Sequence, residues 1–528
     1  MPILQWIGKE KVVNHHLKVP YHVLERKYSY DEKGQQEEDN GSENMIIHGD
    51  NLLALKSLLP KYEGKVKCIY IDPPYNTGNE GWVYNDNVND PQIKKWLGEV
   101  VGKEGEDLSR HDKWLCMMYP RLRLLQKLLA DDGAIFISID DNEQAYLKLI
   151  CDEIFGKTCF KADVIWRSSD NSNNNAEVFS EDYNHTLVYS KKSGWRPNKL
   201  NDESKRKHFK NPDNDPRGPW FDGNPVNNPG WRPNLQFDII APNGNIIHHP
   251  QNGWRWSMET IKAKMKTGEI RFSDDQTRII RRTYLNEMEG LTPSNLWIDL
   301  DKTAHTRRAK YDLKKIFPEV KVTDLFSTPK PSELIKYIIQ LVTKPNDIIL
   351  DSFAGSGTTA HAVLKQNQED GGHRKFILIE MMDYADSITA ERVKRVIQGY
   401  GEGKKAVPGT GGDFSYYELG APLMKDGFLN ESVGEDVIRQ YVYFMDTKEN
   451  QVTEKADEPY FLGKHLETAY YFYYKKEETT VLSYDFLATV KTKAEAYVMY
   501  ADQCLLSGTE LMKYHITFKK IPRDIARL

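Results

Sequence analysis

The chain has few features that point outward or across a membrane. Only five of its 528 residues are cysteine (Cys68, Cys116, Cys151, Cys159, Cys504), and no two form a CxxC pair. That scatter excludes a disulfide framework or a thiolate zinc site as an organising device. No histidine cluster has ligand spacing, so no metal is expected. No apolar run approaches the ~20 residues that span a bilayer. The opening MPILQWIGKEKVV lacks the layout of a secretory leader. These absences predict a reduced, cytoplasmic protein with no membrane partner. Net positive charge is also lacking, with 72 Lys+Arg against 77 Asp+Glu. Apolar residues make up 39%, low but enough for packed cores, and 29 Tyr and 11 Trp argue against disorder.

The average charge hides a gradient. Residues 191–315 carry 24 Lys+Arg against 15 Asp+Glu and six tryptophans (Trp195, Trp220, Trp231, Trp254, Trp256, Trp297). A basic segment with interleaved aromatics suits a polyanion, and Lys205, Arg206, Lys207, Arg217 and Arg232 are its candidate polyanion contacts. A solvated insertion with its own small core would have the same composition.

At this length two to four domains are expected. Residues 1–44 read as an N-terminal arm ending in a polar linker, DEKGQQEEDNGSE. From Met45 the pattern turns to strand and helix: MIIHGD, NLLALKSLLP, KVKCIYIDPPY. WLCMMYPRLRLLQKLLADDG has helical spacing ending in a turn, and AIFISID reads as a buried strand. This alternation predicts a parallel α/β sheet over 45–190. It is lost over 191–324, where NPDNDPRGPWFDGNPVNNPGWRPN is dense in turn residues. It returns over 325–410 with DIILDSFAGSGTTAHAVLKQNQ and FILIE. Residues 411–528 form a Tyr-rich terminal module.

Two motifs carry chemistry. In YIDPPYNTGN, Asp72, Pro73, Pro74 and Tyr75 follow a strand. Proline fixes φ and removes a donor, so the pair makes a rigid corner that presents a carboxylate, a carbonyl and a ring. In DSFAGSGTT, Gly355 and Gly357 stand between a strand and a helix, where backbone amides can approach a ligand. No lysine follows, so this is not a Walker loop. A plain tight turn is the alternative. Glu380 ends the next strand, 23 positions after Gly357, where doubly wound folds place an acid on ribose hydroxyls.

Together these motifs resemble the S-adenosylmethionine-dependent DNA amino-methyltransferases of the permuted, beta-type order. In that family DPPY is catalytic and FxGxG holds the cofactor; here they are Asp72-Pro73-Pro74-Tyr75 and Phe353-Ala354-Gly355-Ser356-Gly357. The likeness runs over roughly residues 45–400 and is similar to the modification subunits of type III restriction-modification systems. It implies a circularly permuted, Rossmann-like class I methyltransferase fold: a mixed, mostly parallel sheet with flanking helices, an inserted target-recognition domain over 191–324 and a small C-terminal α+β module for dimerisation, partner docking or DNA contact.

The resemblance also implies the activity: transfer of methyl from S-adenosylmethionine to the N6 amine of a flipped-out adenine in double-stranded DNA. Asp50 would contact the cofactor adenine, and Glu380 the ribose. The turn Asp351, Phe353, Ala354, Gly355 and Gly357 would cradle the methionine part. Thr358, which begins the following helix, would help bind the carboxylate there, and Thr328 and Lys330, in STPKP, would close over that end. The duller readings are a helix cap for Asp50, a surface lysine for Lys330 and an exposed strand-end acid for Glu380. Tyr84 could be a second stacking ring or a loop tyrosine. Ser352 stands where many relatives carry another aromatic. A homodimer and a restriction subunit are the implied partners. The alternatives are cytosine-N4 methylation, a solitary methyltransferase, and a DNA specificity protein that retains the fold.

Overall fold

The computed structural model describes residues 3–77, 91–101, 109–173, 176–201, 206–223, 225–321, 326–425, 427–448 and 457–522. The chain divides into two compact units, Pro197–Pro293 and the remainder.

In the larger unit, strands rich in Val, Ile and Tyr assemble into one eleven-stranded sheet. In chain order they are β1 (His22–Asp31), β2 (Gly34–Gln36), β3 (Met45–His48), β4 (Val66–Ile71), β5 (Leu129–Ile139), β6 (Phe160–Arg167), β7 (Tyr183–Ser190), β8 (Leu296–Trp297), β9 (Ile348–Asp351), β10 (Lys375–Glu380) and β11 (Phe414–Pro422). The spatial order is β8-β6-β7-β5-β4-β9-β10-β3-β11-β1-β2. From β5 through β11 neighbours are parallel, while β7 and β1 run antiparallel to theirs. Every residue of β4 is buried, as a central strand covered on both faces requires. The cover comes from α1 (Asn51–Tyr62), α2 (Arg110–Leu128), α3 (Gln144–Phe155), α4 (Ser332–Val342), α5 (Thr358–Asp370) and α6 (Glu391–Gln398). α2 packs on α1 and α3, and α5 on α4 and α6.

One pairing positions everything that follows. β4 lies beside β9, with Cys68 opposite Ile349 and Ile69 opposite Leu350. The chain leaves β4 toward β5 on one side and leaves β9 toward β10 on the other. Where two parallel strands part in this way, the loops after their carboxyl ends open a crevice.

Three boundaries differ from the sequence reading. The helix expected over 114–133 ends at Leu128, and Leu129 already pairs with Val66; an apolar run alone does not show where a buried helix yields to a buried strand. Within the expected arm and linker, β1 pairs with β11, and Tyr28 stacks on Tyr416 at 4.9 Å between ring centroids. β8 pairs with β6, so residues from Ser294 onward belong to the larger unit. Residues 423–521 add α7 (Glu435–Thr447) and a four-stranded sheet. Tyr441 of α7 meets Tyr21 edge-on at 4.9 Å, and Phe444 joins the main core.

The smaller unit has a three-stranded antiparallel sheet (Ile270–Phe272, Ile279–Tyr284, Trp220–Asp222), a short hairpin and the helix Met258–Lys266. Its core gathers Trp254, Ile261, Ile270 and Ile279. Among the described residues, no helix is long and apolar enough to cross a membrane.

Candidate active site

β4 delivers the chain to Asp72 at the crevice. Beyond it Trp114, fully buried in α2, donates Nε1–H to the Pro74 carbonyl at 2.6 Å. Asn76 then takes a left-handed φ of 60°. Its amide donates to the Arg110 carbonyl at 3.2 Å and to Glu143 Oε1, which also meets His111 Nδ1 at 2.7 Å. Glu143 is fully buried, and burial pushes its carboxyl above the usual range. The corner is therefore clamped on both sides of Tyr75, from α2 and from the start of α3. Burial and the neighbouring Asp72 charge raise the Tyr75 phenol well above its normal value, so the ring is neutral.

Lys330 joins the two halves. Its Nζ lies 2.6 Å from Asp72 Oδ2 and 4.9 Å from the centre of the Tyr75 ring. Both partners are nearly sealed, with side chains 9% and 10% exposed. The reading as a surface lysine is corrected: Lys330 is buried because its charge has a buried carboxylate to meet.

β9 delivers Asp351, whose Oδ1 accepts from Phe353 N–H at 3.0 Å and Oδ2 from the Thr359 hydroxyl at 2.5 Å. Gly355 and Gly357 both have positive φ, 51° and 76°. A Cβ on Gly357 would stand 2.8 Å from the Thr389 carbonyl oxygen, so glycine is required there. Glu380 is 1% exposed, which corrects the exposed-acid reading. It accepts from Gly355 N–H at 2.8 Å and Met382 N–H at 3.0 Å, so it shapes the glycine turn from behind. Burial pushes Asp351 up to about 7 and Glu380 up to about 8.

A cleft lies between the two strand ends. Asp72, Asp351, Phe353, Ala354, Gly355 and Thr358 line it, together with Thr328 and Lys330. Asp50 caps α1, accepting from Leu52 and Leu53 N–H at 2.8 and 3.2 Å, and its other oxygen faces Arg121 at 3.5 Å.

Several site residues escaped the sequence reading. Arg121, 2% exposed, donates to Asn51 Oδ1 at 2.5 Å, and Asn51 donates to the Ser352 carbonyl at 3.0 Å. This relay ties α2 through α1 to the turn after β9. Trp114, Glu143 and Arg392 were missed as well. None has a distinguishing sequence signal: Trp114 reads as a core aromatic, Glu143 belongs to the polar run DDNE before a helix, and Arg392 is one of several charges in ERVKRVIQ.

In the smaller unit, the proposal of Arg206 as a DNA contact is corrected: it is 8% exposed, and its guanidinium is spent on the Glu289 carbonyl. Arg217 is half-exposed and paired with Asp215 at 3.0 Å. Lys207 and Arg232 are exposed. Lys205 and Tyr84 lie outside the described residues.

A parallel sheet with its order reversed between β4 and β9, an acceptor corner on one strand end and a glycine turn backed by an acid on the other, defines a Rossmann-like methyltransferase. The chain belongs to the DNA methylase family, which matches it over residues 66–391. It is 34% identical over 422 residues to the type III restriction-modification enzyme StyLTI Mod subunit of Salmonella typhimurium, covering 74% of this chain and 62% of that protein. It is 32% identical over 416 residues to the EcoP15I Mod subunit of Escherichia coli, covering 69% and 62% respectively. The type II methyltransferase M.KpnI of Klebsiella pneumoniae is 31% identical over 363 residues, covering 65% of this chain and 81% of that protein. The matches thus span about three-fifths of the length of the two Mod subunits.

Proposed function

We propose that this protein is a site-specific DNA methyltransferase that transfers methyl from S-adenosylmethionine to adenine N6, as the modification subunit of a type III-like system. The observation that carries this reading is the β4–β9 pairing, which puts the Asp72 corner and the glycine turn into one cleft bridged by Lys330.

The residues present suit the cofactor. Phe353 offers an apolar wall, the buried carboxyl of Asp351 offers acceptors for hydroxyls, Glu380 holds the glycine turn behind them, and α5 opens on the cleft with the amides of its first turn. When bound, S-adenosylmethionine supplies an activated methyl on a sulfonium, so the protein's task is orientation. An adenine amine is a poor nucleophile because its lone pair is delocalised into the ring. Asp72 and the Pro73 carbonyl accept its two hydrogens and make the nitrogen more tetrahedral. The Asp72 carboxylate has acceptor positions for the Lys330 ammonium at Oδ2 and for an amine hydrogen as well. Trp114 holds Pro74 in place, which keeps the corner rigid as the base enters.

The target base is reachable only outside the duplex, at a cost on the order of a few kcal/mol. Stacking on Tyr75 returns about 1–3 kcal/mol. Neutralised phosphates supply the remainder. Similarity to Mod subunits of type III restriction-modification enzymes supports DNA as the substrate and a restriction subunit as partner; double-stranded DNA and a second copy of the chain belong to the proposal.

Modified-base sequencing of DNA from cells expressing this chain tests the reading. N6-methyladenine in one short, non-palindromic motif is expected. Methylated cytosine N4 would reassign the base, and unmodified DNA with intact S-adenosylmethionine binding would leave a DNA specificity protein.

A further inference from the structure

Methyl transfer at the Asp72 corner uses no residue of α6, yet α6 carries a fully desolvated cation. Arg392 is 2% exposed. Its Nη1 donates to the Ser356 carbonyl at 3.3 Å, to Ser356 Oγ at 2.9 Å and to Thr358 Oγ1 at 2.7 Å. Its Nη2 donates to His361 Nδ1 at 3.2 Å. Burial and the Arg392 charge push that imidazole well below its usual value, so it accepts as a neutral ring. All these partners are uncharged, and among the described residues Nε has none. Burial lowers the guanidinium only to about 10, so it stays charged at neutral pH, with the negative charges of Asp312 and Glu333 acting from farther off.

Among the described residues no carboxylate forms an ion pair with Arg392, and a buried charge without a counter-charge is costly. Ser356 and Thr358 both line the cleft, and Thr358 opens α5, whose free amides face the same end. Counting protons sharpens this. Arg392 occupies acceptor positions on both hydroxyl oxygens, so each hydroxyl must place its own proton elsewhere. The two oxygens are 3.3 Å apart, and at most one proton can lie between them. At least one hydroxyl therefore has a proton for a cleft acceptor, backed by a cation. Resting on the S-adenosylmethionine reading of the cleft, we propose that Arg392 is a positioning residue that makes this end select a carboxylate, the α-carboxylate of the cofactor's methionine tail, acting through the Ser356 and Thr358 hydroxyls.

Isothermal titration of the full chain with S-adenosylmethionine, S-adenosylhomocysteine and decarboxylated S-adenosylmethionine tests this. Arg392→Met should weaken the two carboxylate-bearing ligands about tenfold or more, the range expected for charge-assisted hydrogen bonds. Binding of the decarboxylated ligand should change less than twofold, and Arg392→Lys should recover most of the loss. Equal weakening of all three ligands would make Arg392 a purely structural support and overturn the proposal, as would no weakening. If Arg392→Met does not fold, Thr358→Val removes one linking oxygen and should show the same selective loss. Wild-type protein that binds none of the three would overturn the cofactor reading itself, a separate result from equal weakening.

Discussion

Asp351 and Glu380 are raised by the same cause, burial at the end of the sheet, to about 7 and about 8. Folded, both keep protons that an unfolded chain would release near 3.8 and 4.5. Their contribution to stability is therefore full below those unfolded values and is lost as pH rises through 7 to 8. The melting temperature of the ligand-free protein should fall between pH 5 and pH 8.5, and Glu380→Gln should flatten that slope; an unchanged slope would mean Glu380 titrates normally. At Asp72 the expectation concerns rate. Asp72→Ala should abolish methylation while S-adenosylmethionine affinity, measured by titration, stays within about threefold, because positioning and chemistry are separable contributions. A normal rate would remove Asp72 from the mechanism. Asp72 was legible in sequence because two prolines mark the corner around it. Arg392 was not: in ERVKRVIQ it looks like Lys394 and Arg395, and only packing against α5 distinguishes it.

The corner works as an element because both sides of Tyr75 are held, Pro74 by Trp114 and Asn76 by Glu143. Asn76→Ala would keep an unfavourable left-handed backbone and leave the buried Glu143 short of a donor, about 1–3 kcal/mol in total. The expected result is a kcat lowered roughly ten- to a hundredfold with cofactor affinity retained. Asn76→Gly should recover part of it, since glycine accepts the backbone but not the bond. Loss of cofactor binding in Asn76→Ala would instead show that the corner shapes the whole cleft. The strand-turn-helix units on either side of the cleft could be read from period and punctuation. The clamp could not, because its parts come from Trp114, Arg110 and Glu143, whose proximity depends on how α2 and α3 pack.

Across the whole molecule, the basic character of residues 191–315 is divided between two units. The compact unit Pro197–Pro293 holds 15 Lys+Arg against 12 Asp+Glu, and many of these charges pair internally, as Arg282 does with Asp213 and Arg271 with Asp222. Exposed Lys207 and Arg232 are the better probes of DNA binding. Lys207→Glu with Arg232→Glu should weaken binding and lower the salt slope of the affinity by about one for each phosphate no longer neutralised. An unchanged slope would make them part of a solvated face. Composition could show the charge excess but not its partition, because pairing partners such as Asp213 and Arg282 lie far apart in the chain.

The neighbours of β4 also bear on how the chain is made. On one side it meets β5, synthesised soon after; on the other it meets β9, which the ribosome reaches only after the entire insert. Until Ile348–Asp351 emerge, the mostly apolar strand Val66–Ile71 has no partner on one edge, the condition that invites pairing with another chain. Premature termination anywhere before residue 348 should therefore yield insoluble fragments rather than half-active ones, and synthesis of this protein should depend on chaperone cover for that interval.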